Sequence, residues 1–289
     1  MPDGTLVLGD VEIVALLDVD ATMPIWDVFD RGDPPPGGAE TLGDRFPDDF
    51  TADAWRFRDR CFVVRSPAGV AVIDTGVGPI DSTFGRWLGV AGTLPDELDA
   101  IGLAPSDVGH VILTHAHSDH IGWNTVRTGD GFAPRFPNAR YHLHEADVAW
   151  WRSFEDEENA RELAETLEPL VASGQLDTSV DDSEVLPGLA LRHAPGHTPG
   201  HRVILLEVGG ERVLFAGDLL HFTFQLNDVD FRAPADESFE EGSRTRGAWL
   251  DRAEAEGMTL ATAHLPSEPF ARIERSDGER VLRARAAGP

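Results

Sequence analysis

Short apolar runs rich in Val and Ile alternate with Gly and Pro punctuation along the chain, the pattern of strands separated by turns. Within residues 5–19 the run Val11-Glu-Ile-Val-Ala-Leu-Leu, and within 60–74 the runs Cys61-Phe-Val-Val-Arg and Gly69-Val-Ala-Val-Ile-Asp, predict strands. Residues 20–58 between them are rich in Pro, Gly, Asp and aromatics, including Pro34-Pro-Pro-Gly-Gly, and predict an irregular loop. A loop that long is rarely idle, so a lid over a site or a dimer contact is expected of it. Pro95 to Leu103 reads as a short helix, and Asp107-Val-Gly-His-Val-Ile-Leu-Thr as a strand that stops at a histidine cluster. Tyr141-His-Leu-His is another strand, followed over 145–172 by helical spacing with many Glu. Leu189–His193, Arg202–Val208 and Arg212–Phe215 predict three more strands, the last two joined through Gly209-Gly210 as a hairpin. A helix near 238–256 and a strand near 258–263 precede a polar, Arg-bearing tail. Strand clusters divided by helices predict an α/β chain, a single domain over 1–289 built from two similar halves packed face to face.

Composition narrows the partners. The 289 residues are 41% hydrophobic and 26% charged, as in soluble globular proteins. Acids outnumber bases by 51 to 24 for a formal net charge of −27, which excludes the basic stripe that nucleic acid or an anionic membrane surface needs. There is no lysine, so every cationic side chain is Arg. The single cysteine, Cys61, excludes an internal disulfide and most thiolate metal sites, and its apolar surroundings predict a buried strand position. The first residues carry neither a basic segment nor an apolar one, and no apolar run reaches the roughly 18 residues of a membrane span, so a cytoplasmic protein is expected.

The chemistry concentrates in Thr114-His115-Ala-His117-Ser-Asp119-His120-Ile-Gly122, directly after an apolar strand. His115 and His117, two apart on an extended segment, point to one side. A helical turn after them swings Asp119 and His120 to the other side of the same pocket, so one short segment can serve two metal ions. Imidazole and carboxylate donors suit Zn, Fe, Mn or Co and leave positions open for water, whereas closed structural zinc sites prefer thiolates. Three further segments end strands in metal-type residues: Ala194-Pro-Gly-His197-Thr-Pro-Gly-His201, Leu214-Phe-Ala-Gly-Asp218-Leu-Leu-His221 and Leu260-Ala-Thr-Ala-His264-Leu-Pro266. A carboxylate can bridge two ions about 3.5–4 Å apart, and Asp218 is the candidate for that place. His110, His142, His144 and His193 lie on predicted strands and read as surface or core residues, and His201 likewise reads as structural.

With these motifs in order, the chain resembles the metallo-β-lactamase fold superfamily over about residues 60 to 264, Asp74-Thr75-Gly76 matching that family's Asp-Thr-Gly turn. The resemblance implies a four-layer αβ/βα sandwich with the metals at one edge of the sheets. It implies His115, His117 and His197 on a first ion, Asp119, His120 and His264 on a second, Asp218 bridging them, and Asp74 orienting a ligand by hydrogen bonding. Two divalent ions are expected, zinc first, with Mn, Fe or Co as alternatives. Asp218 stands where thiolate-using β-lactamases place Cys, and the flavin, clamping and helical additions of other branches are not seen. What remains resembles the lactonase and methyl parathion hydrolase branch, the phosphotriesterase-related group in particular, including Phe136-Pro-Asn-Ala. Where quorum-quenching lactonases often carry a Tyr shortly after the bridging Asp, this chain has His221 and Phe222.

The expected activity is hydrolysis of an ester or lactone by a metal-bridging hydroxide, with Asp218 and Asp119 as catalytic residues, Asp119 also able to pass a proton to the leaving group. A phosphotriester is the alternative substrate. A metal-binding paralogue without activity, or an iron oxidoreductase, are readings of other classes. Trp26, Trp123, His221, Phe222 and Phe224 are the pocket candidates, with Trp55 beside Trp26 in the early loop. A small-molecule substrate is implied, and a homodimer is compatible with that branch.

Overall fold

The computed structural model describes residues 4–29, 35, 37–129, 131–231, 233, 235–266 and 268–285. The chain opens with β1 (Thr5–Leu8), β2 (Val11–Pro24), β3 (Ala54–Ser66) and β4 (Gly69–Ile73), an antiparallel run. β5 (His110–Ile112) then pairs parallel to β4. A small hairpin, β6 (Thr125–Thr128) and β7 (Gly131–Pro134), stands apart, and β8 (Arg140–His142) and β9 (Leu176–Asp177) extend the first sheet in parallel. The second seven-stranded sheet keeps sequence order: β10 (Glu184–Leu186), β11 (Leu189–His193), β12 (Arg202–Val208), β13 (Glu211–Phe215), β14 (Thr259–Ala261), β15 (Phe270–Ser276) and β16 (Glu279–Ala284).

Three apolar cores make the layers. Between the sheets, Leu6, Ile13, Phe62, Ile73 and Ile112 of the first meet Leu189, Ile204, Val213, Phe215 and Ala261 of the second. On the outer face of the first sheet, Val63, Val72 and Val111 pack against Leu94 and Leu98 of helix Leu94–Ala100, Val148 and Trp151 of helix Glu145–Trp151, and Leu170 of helix Glu168–Ser173. Leu205, Leu214 and Leu260 of the second sheet cover Leu250 and Ala253 of helix Phe239–Ala255. Helix, sheet, sheet, helix is the expected four-layer αβ/βα sandwich. Each such side chain taken from water contributes about 1.5–3 kcal/mol, so the layers are held mainly by this burial. Among the described residues no helix is long and apolar enough to cross a membrane.

The structure corrects the boundaries of the irregular stretch at 20–58. Residues 20–24 continue β2 and 54–58 begin β3, paired as Ala21↔Phe57 and Met23↔Trp55. Alternating burial of Met23, Trp55 and Phe57 carries the ladder on, so strand periodicity outweighs the Pro and Asp content. The remaining segment includes the short helices Ile25–Val28 and Leu42–Arg45, while residues 30–34 and 36 lie outside the described residues. The register of β2 shifts between Leu17 and Val19. The extra residue at this bulge is Asp18, whose buried carboxylate accepts from the amides of Val77 and Leu94.

The tail is also corrected, because residues 270–284 form the β15–β16 hairpin. Its turn, Asp277-Gly278, has positive φ at both residues (52° and 90°), the geometry of the tight hairpin turn that Asp-Gly favours. The helical stretch at 145–172 divides into Glu145–Trp151, Glu157–Thr166 and Glu168–Ser173. Asp156 caps the second by accepting from Asn159, and Pro169 opens the third.

The loops that follow β4, β5, β13 and β14 and the loop before β12 gather at one edge of the sheets. Two of them approach backbone to backbone at Gly122, where a Cβ would lie 2.3 Å from the Val77 carbonyl carbon and 2.4 Å from the Gly78 nitrogen. Gly122→Ala is therefore expected to cost about 3 kcal/mol, since main chain cannot move aside as a side chain can. Denaturant unfolding checks this, and a change under 1 kcal/mol would refute the close-approach argument.

Candidate metal centre

Two of the expected donors follow β5 directly and a third comes from the loop before β12. His115 Nε2 lies 3.0 Å from His117 Nδ1, and His197 Nε2 lies 3.2 Å and 2.8 Å from those two atoms. A tetrahedral ion at about 2.0–2.1 Å from nitrogen donors separates them by about 3.3 Å, so this triangle is close to the size a divalent cation needs. Asp218 Oδ2 closes the group, 3.3 Å from His197 Nε2 and 3.8 Å from His115 Nε2.

The other oxygen of Asp218 faces a second group. Asp218 Oδ1 lies 3.0 Å from His120 Nε2 and 3.1 Å from His264 Nε2, and Asp119 Oδ2 lies 3.9 Å and 3.8 Å from the same nitrogens. All seven residues expected as ligands thus converge, with Asp218 shared between the halves. His120 Nε2 and Asp218 Oδ1 are buried without a hydrogen-bond partner, which buried polar atoms normally have. Donor type, spacing and orphaned atoms all fit divalent cations.

The far sides of these candidate donors are tied down by hydrogen-bond partners, as those of metal-binding imidazoles usually are. Asp74, at φ 56°, accepts from the Thr114 amide and hydroxyl at 2.8 Å each and lies 3.0 Å from His120 Nδ1. With its hydroxyl proton given to Asp74, Thr114 accepts from His115 Nδ1 at 3.0 Å. His197 Nδ1 meets Asp236 Oδ1 at 3.0 Å, and His264 Nδ1 donates to the Arg58 carbonyl at 2.7 Å. Asp236 in turn accepts from the buried Arg246 at 2.9 Å. The buried carboxylate of Asp147 joins the two ligand loops, accepting from the Ala116 amide, the Thr198 hydroxyl and the Gly200 amide. His201 accepts from the Asp218 amide at 3.1 Å, and burial holds its pKa near 3, so it is a neutral support.

Sequence reasoning missed Asp147 and Asp236, and also Asp59, whose carboxylate groups with the His120 and His264 rings within 4.8 Å. Asp236 sits in a polar stretch with nothing to mark it, and Asp147 reads as one more acid of the Glu-rich helical stretch. Asp59 had a signal, a charge on the inward row of a strand.

Charge in the cluster is strongly coupled. Burial alone would drive the imidazoles neutral, and it holds His115 and His117 well below the ordinary range. For His197 and His264 burial is outweighed by Asp218, aided by Asp236 and Asp119 respectively, and both rise to about 9. His120 is likewise raised, by Asp218 and Asp74 against burial. Burial resists ionisation of Asp218, but the surrounding imidazoles hold it well below the usual carboxylate range. The pocket attracts positive charge, and protons take that place when cations do not.

Among the pocket candidates, His221 Nε2 lies 3.0 Å from Asp218 Oδ2, with its ring stacked 5.7 Å from His264. Phe222 and Phe224 are buried in an aromatic cluster with Phe29, Phe50 and Phe231. That cluster reaches the donors through Trp55, 5.2 Å from Phe222, and Phe57, which stacks 5.1 Å from His264. Trp123 packs under the Arg135 guanidinium at 4.7 Å, beside a cavity lined by Thr83, Phe132 and Glu162. Trp26 is 37% exposed on its short helix. His110 pairs with His142 and His144 stacks on His193, in keeping with structural roles.

A sandwich of this layering with His and Asp donors at one edge is the architecture of one class, and the metallo-beta-lactamase superfamily model matches residues 57–267. The chain belongs to that superfamily. It is similar to an N-acyl homoserine lactonase of Bacillus sp, 27% identical over 161 residues, 51% of this chain and 57% of that one. It is also similar to a probable metallo-hydrolase of Mycobacterium tuberculosis, 28% identical over 197 residues, 60% and 59% of the two chains. The chain thus spans 57% to 59% of the length of these curated relatives. Of solved structures, the hydrolase AbOPH superposes with a TM-score of 0.80 at 24% identity, covering 100% of both chains. AidC, a dizinc quorum-quenching lactonase solved with a homoserine product, superposes at 0.81 with 19% identity over 99% and 98%. At these identities the two structures speak for the fold.

Proposed function

We propose that the chain is a metal-dependent hydrolase with a dinuclear centre that opens an ester or lactone bond in a small molecule with an apolar portion. The observation that carries this reading is the Asp218 carboxylate, whose two oxygens face two separate donor groups. His115, His117 and His197 would hold one ion and Asp119, His120 and His264 the other, with Asp218 between; zinc is the first ion to test. Bound there, two divalent ions supply a hydroxide at neutral pH and Lewis-acid polarisation of the carbonyl.

The chain's own residues account for the rest. Asp74 and Asp236 fix the ring orientations of His120 and His197, so the donors are arranged before substrate arrives. Asp119, the least enclosed of the carboxylates in the cluster, would take up the proton given off by the attacking hydroxyl group and pass it to the leaving alkoxide. His221, kept neutral chiefly by burial, offers a ring N–H beside Asp218. Trp55 and Phe57 pack against His264, with Phe222 behind Trp55, and this apolar packing keeps water from that side of the donor cluster. The lactonase and metallo-hydrolase relatives support the same chemistry.

The test is proton release, followed with an indicator, on aliphatic lactones, aryl esters and a phosphotriester after loading with Zn, Mn or Co. Turnover of a lactone or ester that a chelator abolishes is expected. Turnover of the phosphotriester alone would move the substrate class, and no turnover with two ions bound would overturn the hydrolase reading.

A further inference from the structure

The inward row of β3 reads Trp55, Phe57, Asp59, Cys61, Val63, all buried. Four are apolar, as the core demands. The fifth is a carboxylate with 1% of its surface exposed. An ionised carboxylate taken from water costs several kcal/mol unless paired or bound to a cation. Neither Asp59 oxygen has a hydrogen-bond partner among the described residues. The Arg residues on either side belong to the opposite face of the strand. Arg58 reaches the Pro266 carbonyl at 2.5 Å and Asp20 at 3.1 Å, and Arg60 reaches the Leu265 carbonyl at 2.6 Å.

What Asp59 does face is the donor cluster. It groups with His120 and His264, the ligand atoms of all three lying within 4.8 Å of one another. Those are the two imidazoles that share Asp218 Oδ1. A fully buried acid without hydrogen bonds, aimed at two imidazoles, has the surroundings of a ligand awaiting a cation rather than of a structural acid.

We propose that Asp59 is a further ligand of the second ion, making that position richer in carboxylate than the first. The inference rests on the dinuclear reading above. With Asp59 the second position draws on Asp59, Asp119 and Asp218 beside two imidazoles, while the first draws on three imidazoles and Asp218 alone. Imidazole suits zinc, whereas carboxylate oxygen suits harder ions such as Mn(II), so the two positions differ in metal preference. The second accepts Mn(II) more readily than the first.

Metal counting by mass spectrometry, chelator-competition titration with Zn(II) and Mn(II), and the visible spectrum of the Co(II) form test this on the whole chain and on Asp59→Asn. The wild type is expected to hold two ions. Asp59→Asn is expected to keep one of them unchanged, to bind the other at least about tenfold more weakly with Mn(II) affected most, and to alter the cobalt bands. Metal-free Asp59→Asn should melt no lower than the metal-free wild type, because the amide removes an unpaired buried acid. Two ions bound by the variant with unchanged affinities and cobalt spectrum would overturn the role of Asp59 and leave the dinuclear reading standing. A wild type that holds a single ion would overturn the dinuclear reading itself. If the variant does not fold, a metal-loaded crystal structure of the wild type decides: an Asp59 oxygen at about 2.0–2.2 Å from an ion upholds the proposal, and a carboxylate out of bonding reach of both ions overturns it.

Discussion

Asp218→Asn is expected to lower kcat/KM by on the order of 10³-fold or more, a loss at least as large as that from removing one preorganised electrostatic contact in a hydrolase. The carboxylate offers an oxygen to each donor group, 3.0 Å and 3.1 Å from His120 and His264 on one side and 3.3 Å from His197 on the other. The amide keeps one oxygen and turns an NH₂ toward the other group, placing donor hydrogens where a cation belongs. Its backbone stays anchored, since the Asp218 amide still donates to His201, so the effect falls on the metals rather than the fold. Steady-state kinetics at saturating metal, with metal counting on the same sample, checks this. A variant with two ions and turnover within tenfold of wild type would show that Asp218 is not the bridge.

Stripping the ions is the second large effect, and it carries a pH signature. An ion present at 1,000 times its Kd stabilises the folded chain by about 4 kcal/mol. At about 2–4 °C per kcal/mol for a chain of this size, chelation should lower the melting temperature by about 10 °C or more. In the metal-free protein His197 and His264 titrate near 9 rather than at the ordinary 6.5. The folded state then holds more protons than the unfolded one between those values, so stability falls as pH rises through that window. The contribution, which the two imidazoles share through Asp218, is complete below 6.5 and gone above about 9. Bound cations replace those protons and remove the dependence. The melting gap between loaded and stripped protein should therefore widen from pH 6.5 to 9 in calorimetry, and a gap that narrows would contradict the charge assignment.

The candidate donors were legible in the sequence because each ends a strand in a short, distinctive segment. His115 through His120, His197, Asp218 and His264 could be named from spacing and residue type, and the fold converges them. The residues that hold these donors were not legible, with Asp74 as the exception because it belongs to a recognisable turn. Asp147 and Asp236 reach the loops from 31 and 39 residues away, at Ala116 and His197, across contacts that only tertiary structure creates. Asp59 is a different case. Strand alternation alone places it inward, but the expectation of an irregular stretch through 58 ended the pattern one residue short of it. The same error hid the pairing of β2 with β3, where aromatic and apolar alternation persists through a segment whose Pro and Asp content argues for loop.

Asp74 carries a lesson for anyone who would engineer this scaffold. It is one of two non-glycine residues at positive φ among those described, a conformation that costs an L residue about 1–2 kcal/mol and glycine almost nothing. Glycine there would relieve that strain but would leave the buried Thr114 amide, the Thr114 hydroxyl and the His120 ring without their shared acceptor, at about 1–3 kcal/mol for each stranded group. Heat tolerance and ligand orientation therefore favour the same residue at this codon, and a library ranked on either alone should keep the acid.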